Sequence, residues 1–264
     1  MGFKEDDNIG FYNFIIDDFT WSYSRVNSYN TCPRMFFLQY IESVSQNGNF
    51  FADWGLYIHS LLEQYYKKEL AIYELVGQYE NGYEESITHQ APPNKYVDLS
   101  VSYYNTGKEY FENFEDKYED HKILGVEDEI KIDIDGRKFT GYIDLNTLST
   151  DDGIYVIDNK SKKSFKNKKE EHDYLRQLYL YSIHIFDKYG EYPTKLIFNM
   201  VRGNVDIINP FCKSELDNSK KWFHDEINKI YNENDFLAKP NKFFCDWLCS
   251  VGKHCEHSYR YTQE

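Results

Sequence analysis

The sequence predicts an α/β protein: a mixed sheet flanked by helices, with a helical N-terminal part and a cysteine-rich C-terminal segment. Three observations carry this prediction. Apolar residues recur at helical spacing through much of residues 22–121. After Lys122 the pattern turns to alternation punctuated by turn signals. A helical stretch at 170–188 is then followed by two further strand-like runs and another helix, so strands and helices must share one layered core.

Taken in order, Phe14-Ile15-Ile16 reads as a short strand, and Ser22 or Ser24 can cap the helix that follows. Pro33 suits the first turn of a helix running to about Tyr40, since its missing N–H is no loss there. From Gly55 to Leu70, the residues Leu56, His59, Leu62, Glu63 and Tyr66 share a helical face. Residues 71–80 and 97–118 read as helices separated by Ala91-Pro92-Pro93-Asn94. Val126–Ile134 and Lys138–Leu145 read as strands joined at Asp135-Gly136, a hairpin turn signal. Asp151-Asp152-Gly153 turns into a strand over Ile154–Asn159. The 170–188 helix, strands at Lys195–Val201 and 204–209, and a helix over 213–232 complete the reading. Four segments follow: an acidic lead-in (1–21), a helical region carrying Cys32 and His59 (22–121), a sheet-bearing core (122–240) and a cysteine segment (241–264).

Composition narrows the function classes. Hydrophobic residues make up 41% of the 264, enough for a sizeable core, and 18% are aromatic, so rings carry much of it. No apolar run is long enough to span a bilayer, and the N-terminus lacks a basic and apolar leader, so a cytoplasmic protein with no membrane partner is expected. A net charge of -14 argues against phosphate-rich partners. Its distribution qualifies that. Glu5-Asp6-Asp7 and Glu115–Asp120 read as solvated acidic runs, whereas Lys160–Lys169 holds six lysines. Such a local strip attracts phosphate even on an acidic protein, although a plain lysine-rich loop has the same composition.

The chemistry-bearing pattern is Ile154-Tyr155-Val156-Ile157-Asp158-Asn159-Lys160. Residues two apart in a strand share a face, so Asp158 and Lys160 point one way and Ile157 the other. The turn at 151–153 brings the preceding strand alongside, and with it Asp144 of Gly141-Tyr142-Ile143-Asp144. Two carboxylates suit a hard divalent cation such as Mg²⁺. Such an ion lowers the pKa of a bound water and neutralises phosphate charge, and an ammonium beside it stabilises developing charge. Asp-x-Lys alone is a weak signal that ordinary surface strands also carry. His59 can complete a metal shell, and Gln177 and Tyr181, four apart on one helix, can orient Lys160 or hold phosphate.

Five features occur in a telling order: Tyr29-Asn30-Thr31-Cys32-Pro33-Arg34, Gly55 with His59, Gly141-Tyr142-Ile143-Asp144, Ile157-Asp158-Asn159-Lys160, and Gln177-Leu178-Tyr179-Leu180-Tyr181. Together they resemble the PD-(D/E)XK nuclease superfamily, and more narrowly its RecB-like exonucleases, including CRISPR-associated ones used in spacer acquisition. The resemblance runs from about residue 22 to 257. It implies a restriction-endonuclease-like core at 122–240, with His59, Asp144 and Asp158 as ligands of Mg²⁺ or Mn²⁺. It implies Lys160 as the catalytic lysine and Gln177 and Tyr181 as supporting site residues. The second acid is Asp158, where some relatives carry Glu. The implied activity is a metal-dependent DNA exonuclease, expected at single-stranded ends, with a possible protein partner in recombination, repair or CRISPR adaptation. The acidic net charge leaves open a nuclease-fold binding or regulatory subunit acting through such a partner.

An odd count of five cysteines, with no leader, argues against a disulfide framework. Cys245, Cys249 and Cys255 form a C-x3-C-x5-C set, and similar nucleases hold a [4Fe–4S] cluster on three C-terminal cysteines and one near the N-terminus, a position Cys32 fits. Relatives commonly show C-x2-C. Zinc, with His254 and His257 close by, and free thiols remain open alternatives. Cys212 is left over, and is expected to pack as a small apolar residue.

Overall fold

The computed structural model describes residues 10–261, so the Glu5-Asp6-Asp7 run of the acidic lead-in lies outside the described residues. The chain divides into two compact units. One comprises Gly48–Lys131 and Gly141–Leu216; the other comprises the remaining described residues, including the hairpin tip Ile132–Thr140.

The first unit holds helices α4 (Phe50–Tyr66), α5 (Leu75–Ser86) and α6 (Leu99–Glu112), and helix α7 (Lys168–Tyr189). Its sheet contains β1 (Lys122–Ile134), β2 (Arg137–Ser149), β3 (Gly153–Lys160), β4 (Lys195–Met200) and β5 (Val205–Pro210), in the spatial order β1-β2-β3-β4-β5. The sheet is mixed: β3 pairs antiparallel with β2 and parallel with β4, and β4 pairs antiparallel with β5. The parallel β3–β4 pair requires a crossover, which α7 supplies. This is the α/β arrangement the sequence predicts.

β3 lies at the centre of the sheet, which explains its composition. Ile154 to Ile157 are all buried, as expected of a strand covered on both faces. Ile157 and its β2 partner Leu145 pack with Trp54, Ile58, Leu61 and Leu62 of α4. Each such buried aliphatic side chain contributes roughly 1.5–3 kcal/mol. α4 begins at Asn49, whose side chain accepts the amide of Ala52 at 3.0 Å. Trp54, fully buried, shares its indole N–H between the Tyr79 hydroxyl (3.2 Å) and the Tyr103 carbonyl (3.1 Å), so the aromatic core leaves no donor stranded there. α7 is bounded by an Asn167 cap and by Gly190, whose φ of +79 is the left-handed C-terminal conformation glycine adopts without strain.

In the second unit, α1 (Asn13–Ile16), α2 (Tyr23–Thr31) and α3 (Pro33–Phe36) precede a π-helical turn at Phe37–Ile41. Helix α8 (Lys213–Tyr231) runs into this unit from the first. Ser22 caps α2, accepting the amide of Arg25 at 3.1 Å. Rings dominate packing: Phe36 and Phe236 stack with centroids 6.0 Å apart. Trp21 bridges the hairpin tip, its amide donating to the Lys138 carbonyl and its carbonyl accepting from Thr140, each at 2.8 Å. Two expectations are corrected here. Phe14–Ile16 is a helical turn, not a strand, because three apolar residues are too few for periodicity to distinguish the two. Cys212 is exposed rather than packed, lying between β5 and α8 with its sulfur 3.1 Å from the Ser214 hydroxyl.

Candidate active site and cysteine cradle

The β2–β3 ladder runs from Ser149↔Gly153 to Leu145↔Ile157. One residue further, a side chain takes over from the backbone: the Asp144 carboxylate accepts the Asn159 amide at 2.6 Å. Its Oδ2 also lies 3.5 Å from Nδ1 of His59, presented by α4. Strand alternation then divides the end of β3. Asn159 turns toward its β4 partner Asn199, whose amide donates to it at 2.8 Å. Asp158 and Lys160 turn the other way, with the ammonium 2.6 Å from Asp158 Oδ2. The contact is an ion pair bent away from hydrogen-bond geometry, since that oxygen makes no hydrogen bond.

α7 continues the row. Lys160 donates to Oε1 of Gln177 at 3.2 Å, and the Gln177 amide donates to the Tyr181 hydroxyl at 2.8 Å. Their spacing of four residues puts both on one helical face, as the sequence indicates. Gly141 permits this approach: a Cβ there would meet the Tyr181 ring at 2.8 Å. Lys160 also lies 5.2 Å from the Tyr174 ring centre, a cation–π contact that holds the ammonium in place.

A residue absent from the sequence reading joins the site. Glu127 of β1 offers a carboxylate oxygen that lies, with one ligand atom each from His59 and Asp144, in a set all within 4.8 Å of one another. Asp158 stands outside this trio. The signal for Glu127 was slight: Val126-Glu127-Asp128-Glu129 is where the alternation of β1 breaks.

The electrostatics match this crowding. Burial lifts the Asp144 carboxyl to about 8, helped by the negative Asp158 and opposed by the Asn159 amide. Glu127 is raised by burial and then by Asp144. His59 is lowered, chiefly by burial, against the pull of Asp158, so its imidazole is neutral and able to donate a lone pair. Two carboxylates and one imidazole converging at this range are a donor set suited to a divalent ion that accepts oxygen and nitrogen ligands.

The Lys160–Lys169 strip divides by environment. Lys162 pairs with Glu170 at 2.7 Å and Lys168 with Glu171 at 2.9 Å, while Lys163, Lys166 and Lys169 are exposed. Phe165 anchors the loop edge-on against Phe198, with centroids 5.1 Å apart.

A profile of the PD-(D/E)XK nuclease superfamily matches residues 20–256. The chain belongs to that superfamily. Its mixed sheet with flanking helices is the corresponding restriction-endonuclease-like fold. Comparison with characterised proteins finds no match.

This PD-(D/E)XK chain also gathers its conspicuous cysteines. Cys32, Cys245, Cys249 and Cys255 are each 7–8% exposed and line one small cavity with Met35, Phe244 and Val251. Cys249 is raised to about 11, by burial first and then by the other three cysteines. The Lys239 amide donates to the Cys32 sulfur at 3.4 Å. Gly252 keeps the cradle tight, since a Cβ there would meet the Cys245 carbonyl at 2.8 Å. Four thiols around a dry cavity, with an amide directed at a sulfur, are a donor set suited to a soft thiolate-bound group. His257 lines the same cavity, whereas His254 lies 3.0 Å from the Ser45 hydroxyl.

Proposed function

We propose that this protein is a metal-dependent deoxyribonuclease of the RecB-like, CRISPR-associated exonuclease type, acting at single-stranded ends. One observation carries the reading: His59, Asp144, Asp158, Lys160, Gln177 and Tyr181 gather at the end of β3, where contacts of 2.6–3.5 Å join His59 to Asp144 and Asp144 to the Asn159 amide, and join Asp158 to the Lys160–Gln177–Tyr181 row. In this reading His59, Asp144 and Asp158 would hold Mg²⁺ or Mn²⁺. Such an ion, when bound, would supply an activated water and neutralise phosphate charge. Lys160, held by Gln177 and Tyr174, is placed to meet the charge that develops on the phosphate. Tyr181 fixes Gln177 in the rotamer that receives the ammonium. The exposed Lys163, Lys166 and Lys169 draw the phosphate backbone toward the site, which offsets the acidic charge elsewhere.

The test is cleavage of end-labelled single- and double-stranded DNA in Mg²⁺ or Mn²⁺. Stepwise shortening from an end that stops in Asp158→Ala and Lys160→Ala supports the reading. Undiminished cleavage in those variants refutes it. A protein inert with every metal, recovered with a stoichiometric partner, would instead mark a binding or regulatory subunit, the reading that the -14 charge favours.

The cysteine cradle fits a [4Fe–4S] cluster held by Cys32, Cys245, Cys249 and Cys255, with a stapling role. Anaerobic purification should give a brown protein containing iron. A colourless, zinc-bearing protein would assign the cradle to zinc.

A further inference from the structure

β1 contains an anomaly that the reaction above does not use. Glu127, inside a strand, has φ of +50, in the left-handed region. A glutamate has no intrinsic reason to adopt that conformation, which is strained and persists only where its surroundings enforce it. The enforcing contacts are visible. Asp128, the next residue, accepts both 2.7 Å bonds from Lys188 and a 2.9 Å bond from the Asn146 amide, which fixes its side chain. Gly125, two residues earlier, has no room for a side chain: a Cβ would meet Asn146 Oδ1 and Asp128 Cβ at 2.9 Å. The strand therefore departs from regular extension between two clamps, a bulge-like distortion that re-aims the side chain that carries it. Here the re-aimed side chain is Glu127, and its carboxylate lies with His59 and Asp144 in the 4.8 Å trio.

We infer that Glu127 is a metal ligand, directed by the β1 bulge onto the same divalent ion that His59 and Asp144 hold. The inference rests on the proposed metal-dependent reading of the site and adds a carboxylate from outside the motifs that suggested it. Charge accounting agrees. Glu127, Asp144 and Asp158 together balance one divalent ion and the Lys160 ammonium, so the loaded site is neutral before substrate phosphate arrives.

The experiment is calorimetric titration of the purified full-length protein with Mn²⁺ alone, checked by the loss of the free Mn²⁺ electron paramagnetic resonance signal. Wild type, Glu127→Asn, Glu127→Gln and Asp144→Ala are compared. Asparagine tolerates the left-handed torsion and removes the acid, so Glu127→Asn keeps the bulge. Glu127→Gln keeps the side-chain length. Circular dichroism confirms that each variant is folded. The expected result is Mn²⁺ binding at least about tenfold weaker in both Glu127 variants. Wild-type affinity in both, with binding lost in Asp144→Ala, would overturn the Glu127 assignment and leave the metal site standing. Absence of Mn²⁺ binding in the wild type would overturn both.

Discussion

The acidic pocket and the cysteine cradle are built from opposite materials. The pocket uses charged side chains on α4, β1, β2 and β3, is partly open, with the His59 side chain 30% exposed, and balances its acids against a lysine. The cradle uses thiols on short irregular turns, with each cysteine 7–8% exposed among apolar neighbours. A site that must admit a phosphate and a water needs an open side, and it tolerates charge only because counter-charges stand within hydrogen-bond range. A cradle whose proposed task is to staple the chain gains by being closed. The difference predicts that lesions in the pocket remove activity even from molecules that remain folded, and that lesions in the cradle act first on the fold.

The largest effect expected is on catalysis. Lys160→Ala or Asp158→Ala should lower cleavage per folded molecule by about a hundred- to ten-thousandfold, measured on end-labelled DNA. A variant that unfolds while its residual activity per folded molecule stays normal would break the comparison. Next is the cradle. Cys249→Ala should abolish visible absorption and cost at least about 3 kcal/mol, a fall in melting temperature of roughly 6–12 °C, whereas Cys212→Ser should change stability by less than about 0.5 kcal/mol.

A third test uses pH. The Asp144 carboxyl is raised from the ordinary carboxylate range to about 8, so between those limits the folded chain binds a proton that the unfolded chain has released. The favourable contribution of that proton is complete below the unfolded value and is lost as pH rises toward about 8. In chelator, Asp144→Asn should therefore match wild type near pH 4 and exceed it by up to a few kcal/mol near pH 8, read by urea unfolding. An equal gap at both pH values would sink the claim. The smallest effect sharpens the picture. Tyr181→Phe should cost about 0.5–1.5 kcal/mol in transition-state stabilisation, since it removes one hydrogen bond to Gln177 and leaves the ammonium ligand in place.

Much of this was legible in the sequence, for identifiable reasons. β2, β3 and the hairpin turn are announced by Asp135-Gly136, by Gly153 and by the apolar run of a buried strand, all of which act locally. Asp158 and Lys160 share a face because strand alternation leaves no choice, and Gln177 and Tyr181 because a helix turn leaves none. Glu127 was hidden for the converse reason. Its orientation comes from clamps on Gly125 and Asp128 that belong to distant Asn146 and Lys188, and residue preference would never place glutamate in that torsion. Pro33 correctly opens a helix, but the π-helical turn at Phe37–Ile41 has no counterpart in apolar spacing.

The 2.6 Å contact between Lys160 and Asp158 has one more consequence. The polypeptide brings its own positive charge to the acids at the end of β3. That charge offsets part of the repulsion among the acids as this core closes. If the site takes up a divalent ion as proposed, that ion would relieve the resident ammonium of its partner, and the freed amine would stay at the end of β3.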